Sequence, residues 1–219
     1  MPTRPRFSES EIIEQYRVSL DNAEKQTEIA SALAELGYDA ETIAQGKALF
    51  NKTRAAYDAN KIEDDETAES YQKWANLRAN LADRYALDRK KAKVIFRNDE
   101  VTKEKLAVLG TLPKAYVRWL ETVKKFYSAA LNDDEIQSKL ARLKITPEHL
   151  TETNQLIADV ENARADYLRE LGESQDATKA KDAALAEMDD WMRDFYAVAK
   201  IALDDRPQLM EALGKFVRS

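Results

Sequence analysis

One histidine, one helix-borne aspartate and one run of cations are the residues whose chemistry stands out in this chain. His149 follows Thr146 and Pro147, where a helix is expected to open. A general base needs a partner that holds its second ring nitrogen, and no such partner is identifiable for His149 in the sequence. The expectation is a first-turn residue facing solvent. A di-iron or di-manganese bundle needs two Glu-x-x-His motifs, which a single histidine cannot supply. With no cysteine in the chain, thiolate metal sites, disulfides and thiol nucleophiles are excluded as well. Glycine-rich phosphate loops, the Gly-x-Ser-x-Gly elbow and His-Glu-x-x-His do not occur. Carboxylates are abundant, but none is paired by a distinctive spacing. The expectation is therefore no catalytic residue, no cofactor and no metal.

The cations are more specific. Arg84, Arg89, Lys90, Lys91, Lys93 and Arg97, with Lys103 and Lys105, face only Asp88, Asp99, Glu100 and Glu104, so this stretch is strongly basic. Such a helix could neutralise phosphates, with Tyr85 or Phe96 available for stacking, which makes polyanion or nucleic-acid binding the alternative function. The structural explanation is simpler: cations near a helix C-terminus offset the dipole and pair with acids of a neighbouring helix. Between these lies a third account, in which the basic surface of one unit meets an acidic surface of another copy. Asp88 is the oddity within the run. A helical step from Leu81 through Tyr85 to Ala92 passes through it, so its carboxylate lies either in the core or, after a slight rotation, at the rim. Buried, it would need a partner such as Arg84 or Lys91, or a raised pKa, because an unpaired buried charge is costly. It is the candidate buried polar residue, and a polar pocket for a small ligand is its functional interpretation.

The elements that position these residues are helical. Ala184, Met188, Trp191, Phe195, Val198 and Ala202 step by threes and fours along one stripe, widened by Leu185, Met192, Ala199 and Leu203. Five glycines and five prolines among 219 residues leave little material for the turns of a sheet protein, so the class is all-α. Ser8 with Glu11 forms a capping-box pattern that opens the first helix, which breaks near Lys25 to Thr27 or runs on to a left-handed cap at Gly37. Asp39 caps a second helix, expected to end before the acidic run Glu63 to Glu66. Those acids suit the start of a third helix, from about Asp65 to Arg97. A short helix from Val101 to Leu109 stops at Gly110.

The chain then repeats itself. Glu28-Ile29-Ala30-Ser31-Ala32-Leu33-Ala34-Glu35-Leu36 returns as Glu135-Ile136-Gln137-Ser138-Lys139-Leu140-Ala141-Arg142-Leu143, and the step from Glu28 to Glu135 sets the offset of the repeat at 107. Without a gap, Asp39-Ala40-Glu41 then overlays Thr146-Pro147-Glu148, Leu81 overlays Met188 and Ala92 overlays Ala199. Asp88 overlays Phe195. Asp133 as N-cap, Gly172 as C-cap and Pro207 as an early helix residue complete the second copy. The expected architecture is a tandem duplication of helical-hairpin units, residues 1–110 and 111–219, forming two bundle-like halves; one continuous bundle is the competing arrangement. The window of the second copy that matches the basic stretch, Trp191 to Ala212, has three cations against four acids. The two copies keep their core and differ in charge.

The aromatic residues, among them Tyr71, Trp74, Trp119 and Trp191, fall at helical spacing and are expected in the core. No window is apolar enough to span a membrane, the lead Met1 to Phe7 carries prolines and arginines, and the net charge is −6. These features suggest a cytoplasmic, non-enzymatic module that binds protein, with a second copy of itself as the expected partner, and not a membrane.

Overall fold

The computed structural model describes residues 7–215, so the Pro-rich lead Met1 to Arg6 lies outside the described residues. Every regular element in them is a helix: α1 (Glu9–Lys25), α2 (Thr27–Ala34), α3 (Ala40–Ile95), α4 (Glu100–Lys105), α5 (Tyr116–Leu131), α6 (Asp134–Ala141), α7 (Pro147–Ala202) and α8 (Leu209–Ala212). None of them is long and apolar enough to cross a membrane. From Thr27 to Asp134, Ala40 to Pro147 and Ile95 to Ala202, helix boundaries recur at the offset expected from the sequence.

Side-chain caps set most of the helix starts. Ser8 accepts from the Glu11 N–H while the Glu11 carboxylate accepts from the Ser8 N–H, closing the expected capping box. Asp39, Asp99 and Asp133 each accept backbone N–H bonds at the starts of α3, α4 and α6. Gly37 adopts φ 87° after α2, the left-handed cap expected of it. At the corresponding place after α6 stands Lys144, with φ 62°, and the positive φ of Ala107 after α4 matches that of Gly214 after α8. Pro207 lies in the turn before α8 rather than within the helix.

Two expected breaks are absent. The acidic run Glu63 to Glu66 lies inside α3, and Gly172 lies inside α7; each of these helices continues for 56 residues. Neither glycine nor proline occurs between Gly46 and Gly110, and acids serve an exposed helix interior as well as a helix start. Gly172 costs α7 only about 1 kcal/mol against alanine, too little to end a helix held by its neighbours. The hairpins expected from the sequence are thus uninterrupted helices, and the compact units do not follow residues 1–110 and 111–219. Unit 1 takes the residues up to Asp64 and those from Glu173 onward; unit 2 is Asp65–Gly172.

Unit 1 contains α1, α2, the first part of α3, the last part of α7, and α8. Its core joins Leu20, Ile29, Leu33 and Ile43 to Met188, Met192, Phe195, Ala199 and Leu203. The buried seam of α7 therefore runs through Met192, Phe195 and Ala199 and on to Leu203 just past the helix end, while Trp191, Val198 and Ala202 flank it half-buried. Three α1 residues one or two turns apart hold the last residue of α8 and the two that follow it. Gln15 Nε2 donates to the Gly214 carbonyl at 2.9 Å, Asn22 Nδ2 to Ala212 at 2.7 Å, and Ser19 Oγ lies 2.8 Å from the Leu213 carbonyl. These contacts satisfy carbonyls that a helix end leaves open.

Unit 2 contains the rest of α3, α4, α5, α6 and the first part of α7. Its core gathers Leu81, Tyr85, Phe96 and Leu106 with Val123, Phe126, Tyr127, Leu140, Ile145, Leu150 and Val160. Here the carbonyls after α4 are met from α3: Arg89 Nη2 donates to Gly110 at 2.7 Å.

Candidate functional site

Asp88 belongs to the core of unit 2, not to its rim, with 1% of its surface exposed. The Tyr127 hydroxyl donates to its Oδ2 at 2.8 Å, and His149 Nε2 lies 2.6 Å from the same oxygen. Lys91 Nζ stands 3.8 Å from Oδ1, a longer contact. Arg84, the other expected partner, turns to Thr153 and Glu152 instead. His149 is therefore neither partnerless nor simply solvent-facing, because three-quarters of its side chain is covered and one ring nitrogen is fixed on a carboxylate. Burial, and then the Asp88 charge, push the Tyr127 hydroxyl well above the ordinary tyrosine range, so it remains a hydrogen-bond donor.

A carboxylate with an imidazole and a phenol is an arrangement that can orient a base. The Thr153 hydroxyl, however, is committed elsewhere: its Oγ1 lies 2.7 Å from the His149 carbonyl, the back-bond of a helical threonine. At the position that the expected repeat matches to Asp88, unit 1 has Phe195, fully buried. The network is thus a polar core device particular to unit 2, in which side chains from α5 and α7 both engage Oδ2 of Asp88 on α3, while Oδ1 is buried without a hydrogen bond and has only the Lys91 ammonium nearby.

The six basic candidates divide into two groups. Arg84, Arg89 and Lys91 point to partners within unit 2, as described above. Lys90, Lys93 and Arg97 are exposed and have no carboxylate at ion-pair distance among the described residues. Partial desolvation, then the nearby Arg89 and Lys103, pulls the Lys93 ammonium below the ordinary lysine value. Beside these cations lie apolar side chains that nothing in unit 2 covers: Leu87 is 55% exposed and Val94 66%. Leu87, Lys90 and Val94 step by three and four along one outward stripe of α3, and Arg97, in the turn just after the helix, follows at the same spacing.

At the corresponding positions unit 1 has Asp194, Ala197, Ile201 and Asp204, all exposed, with Ile201 at 68%. Asp194 and Asp204 have no cation at ion-pair distance among the described residues. Each stripe is centred on a β-branched apolar residue; one carries cations, the other acids.

A further cluster does not follow the expectation that aromatic residues lie in the core. Trp119, Tyr85, Phe126, Tyr127 and Phe195 are buried, but Tyr71 is 48% exposed. It stands edge-on to Trp74 and Tyr167, whose rings stack with an angle of 4° between planes. Helical spacing identifies an apolar stripe and carries no signal for where a neighbouring helix stops covering it. Compared with known protein families, curated proteins and solved structures, the chain matches none.

Proposed function

We propose that this protein is a non-enzymatic helical module, built by duplication of one helical unit, that associates with further copies of itself. The observation that carries this is the pair of outward stripes: Leu87, Lys90, Val94 and Arg97 on unit 2, and Asp194, Ile201 and Asp204 on unit 1. An apolar centre supplies affinity on burial, and opposite unpaired charges around it set the register and speed encounter. Contact between unlike stripes of two copies is heterologous, so it leaves one stripe of each kind free for a further copy. The recurrence of helix boundaries at the repeat offset supports the duplication, and the opposite charges on an otherwise shared pattern give the two halves different roles.

The test is solution mass by size exclusion with light scattering, at micromolar protein in low and in high salt. Discrete or growing assemblies that loosen as salt screens the charges are the expected result. The double variant Lys90→Glu with Arg97→Glu is expected to be monomeric alone, as is Asp194→Lys with Asp204→Lys, while an equimolar mixture of the two re-forms a complex through the reversed charges. A monomer at both salts, or a mixture that stays monomeric, overturns the proposal.

A further inference from the structure

Unit 2 carries a cleft of about 360 Å³ whose lining combines Tyr71, Trp74 and Trp119 with Arg78 and Lys114 and includes no acid. The guanidinium of Arg78 lies 5.7–5.8 Å from the ring centres of Trp74, Tyr116 and Trp119. Arg164 approaches the same cluster from α7, 4.1 Å above the Tyr116 ring. Arg78, Arg164 and Lys114 have no carboxylate and no hydrogen-bond acceptor among the described residues. Two further donors there, Trp74 Nε1 and the Tyr116 hydroxyl, are buried without a partner. The cluster carries three cations and no carboxylate, and its unpartnered polar groups are rich in donors.

Helix packing alone does not demand this composition. At the equivalent repeat positions, unit 1 places Lys181 for Trp74 and Glu9 for Tyr116, which close on each other as an ion pair at 2.8 Å. For Tyr71 and Tyr167 it has Thr178 and Asn60, joined by a hydrogen bond of 3.1 Å. Unit 1 satisfies itself where unit 2 leaves flat rings and unpaired cations. Cationic ligands are repelled by three positive groups, and an apolar ligand would leave the donors unmet. Phosphate meets the arginines and the lysine, and an aromatic ring meets the exposed face of Tyr71. A mononucleotide has both parts, and the cleft volume lies within the range of small-ligand pockets.

We infer that this cleft binds a nucleotide, its base stacked on the Tyr71 and Trp74 side and its phosphate held by Arg78 and Lys114. The nucleotide is either free or one residue of a single strand, where stacking platforms beside cations are the usual means of capture. The inference is independent of self-association, since it uses different residues and another face of α3.

Calorimetric titration of the full chain with thymidine monophosphate, thymidine, ribose 5-phosphate and a short oligothymidylate tests it. Saturable binding of the monophosphate or the oligonucleotide is expected, with thymidine and ribose phosphate weaker by about tenfold or more. Oligothymidylate binding much more tightly than the monophosphate identifies a single strand as the source; equal binding identifies the free nucleotide. Tyr71→Ala and Arg78→Ala, both at exposed side chains, are expected to weaken binding about tenfold each with far-UV circular dichroism unchanged, and Lys52→Ala in unit 1 to leave it unchanged. No saturable binding of either phosphate ligand at millimolar concentration, or undiminished binding by both cleft variants, overturns the inference.

Discussion

Asp88 Oδ2 and His149 Nε2 meet at 2.6 Å in the core of unit 2, although 61 residues of chain separate them. The contact, with the Tyr127 hydroxyl on the same oxygen, is what makes a carboxylate tolerable among Leu81, Tyr85 and Ala92. Removing one partner leaves a buried acceptor short of a donor, which costs more than the hydrogen bond itself contributes. Tyr127→Phe is expected to lower stability by about 1–3 kcal/mol, and His149→Ala by a similar amount. In a double-mutant cycle of Tyr127→Phe with Asp88→Asn, the combined loss is expected to fall short of the two single losses added together. Urea unfolding followed by circular dichroism measures all three; strict additivity would show that the groups do not act as one network.

Gly46 and Trp191 make the corresponding close approach in unit 1. A Cβ on Gly46 would overlap the six-membered ring of Trp191, whereas a Cβ on Gly172 would meet nothing within 4 Å. Two glycines, each inside a long helix, therefore have opposite consequences on replacement. Gly46→Ala is expected to cost about 1–3 kcal/mol as the indole is displaced, with a shift in tryptophan emission. Gly172→Ala is expected to stabilise by up to about 1 kcal/mol through helix propensity. Thermal unfolding of the two variants compared with the parent decides between them.

Ala107 and Lys144 hold the left-handed conformation at places where the other unit has Gly214 and Gly37. A side chain there costs about 1–2 kcal/mol in strain, partly offset by the larger unfolded-state entropy of glycine. Ala107→Gly and Lys144→Gly are each expected to raise stability by roughly 0.5–1 kcal/mol. A loss of stability in both would mean that contacts of these side chains outweigh the strain.

Much of this architecture is legible in the chain because helix ends are encoded locally. Ser8 with Glu11, Asp39, Asp133 and Gly37 act within a few residues of themselves, and each behaves as its type dictates. The continuity of α3 is not legible, because Glu63 to Glu66 can serve a helix start or an exposed helix interior equally well. The partner of Asp88 is hidden for another reason: its own helix supplies Arg84 and Lys91 at the right spacing, and only the packing of α7 against α3 brings in His149 instead. The Trp74 cluster is hidden because periodicity reports which residues share a face, not whether that face is covered.

The helix caps also fix how stability responds to acid. Backbone N–H bonds from Thr42 and Thr102 hold Asp39 and Asp99 below the ordinary aspartate value of 3.8, and the Lys105 ammonium, followed by the Ile136 N–H, does the same for Asp133. In the unfolded chain these carboxyls take up protons at the ordinary value, while the folded protein resists protonation until lower pH. Their contribution is complete above that value and is lost as pH falls through the depressed folded values. Unfolding free energy is therefore expected to decline below about pH 4 as the unfolded chain binds the additional protons. Asparagine still caps a helix and cannot titrate in this range, so the triple variant Asp39→Asn, Asp99→Asn and Asp133→Asn should show a shallower decline. Urea unfolding across an acid pH series compares the slopes. If parent and variant decline in parallel, these caps do not set the acid limb, and other carboxylates must carry it.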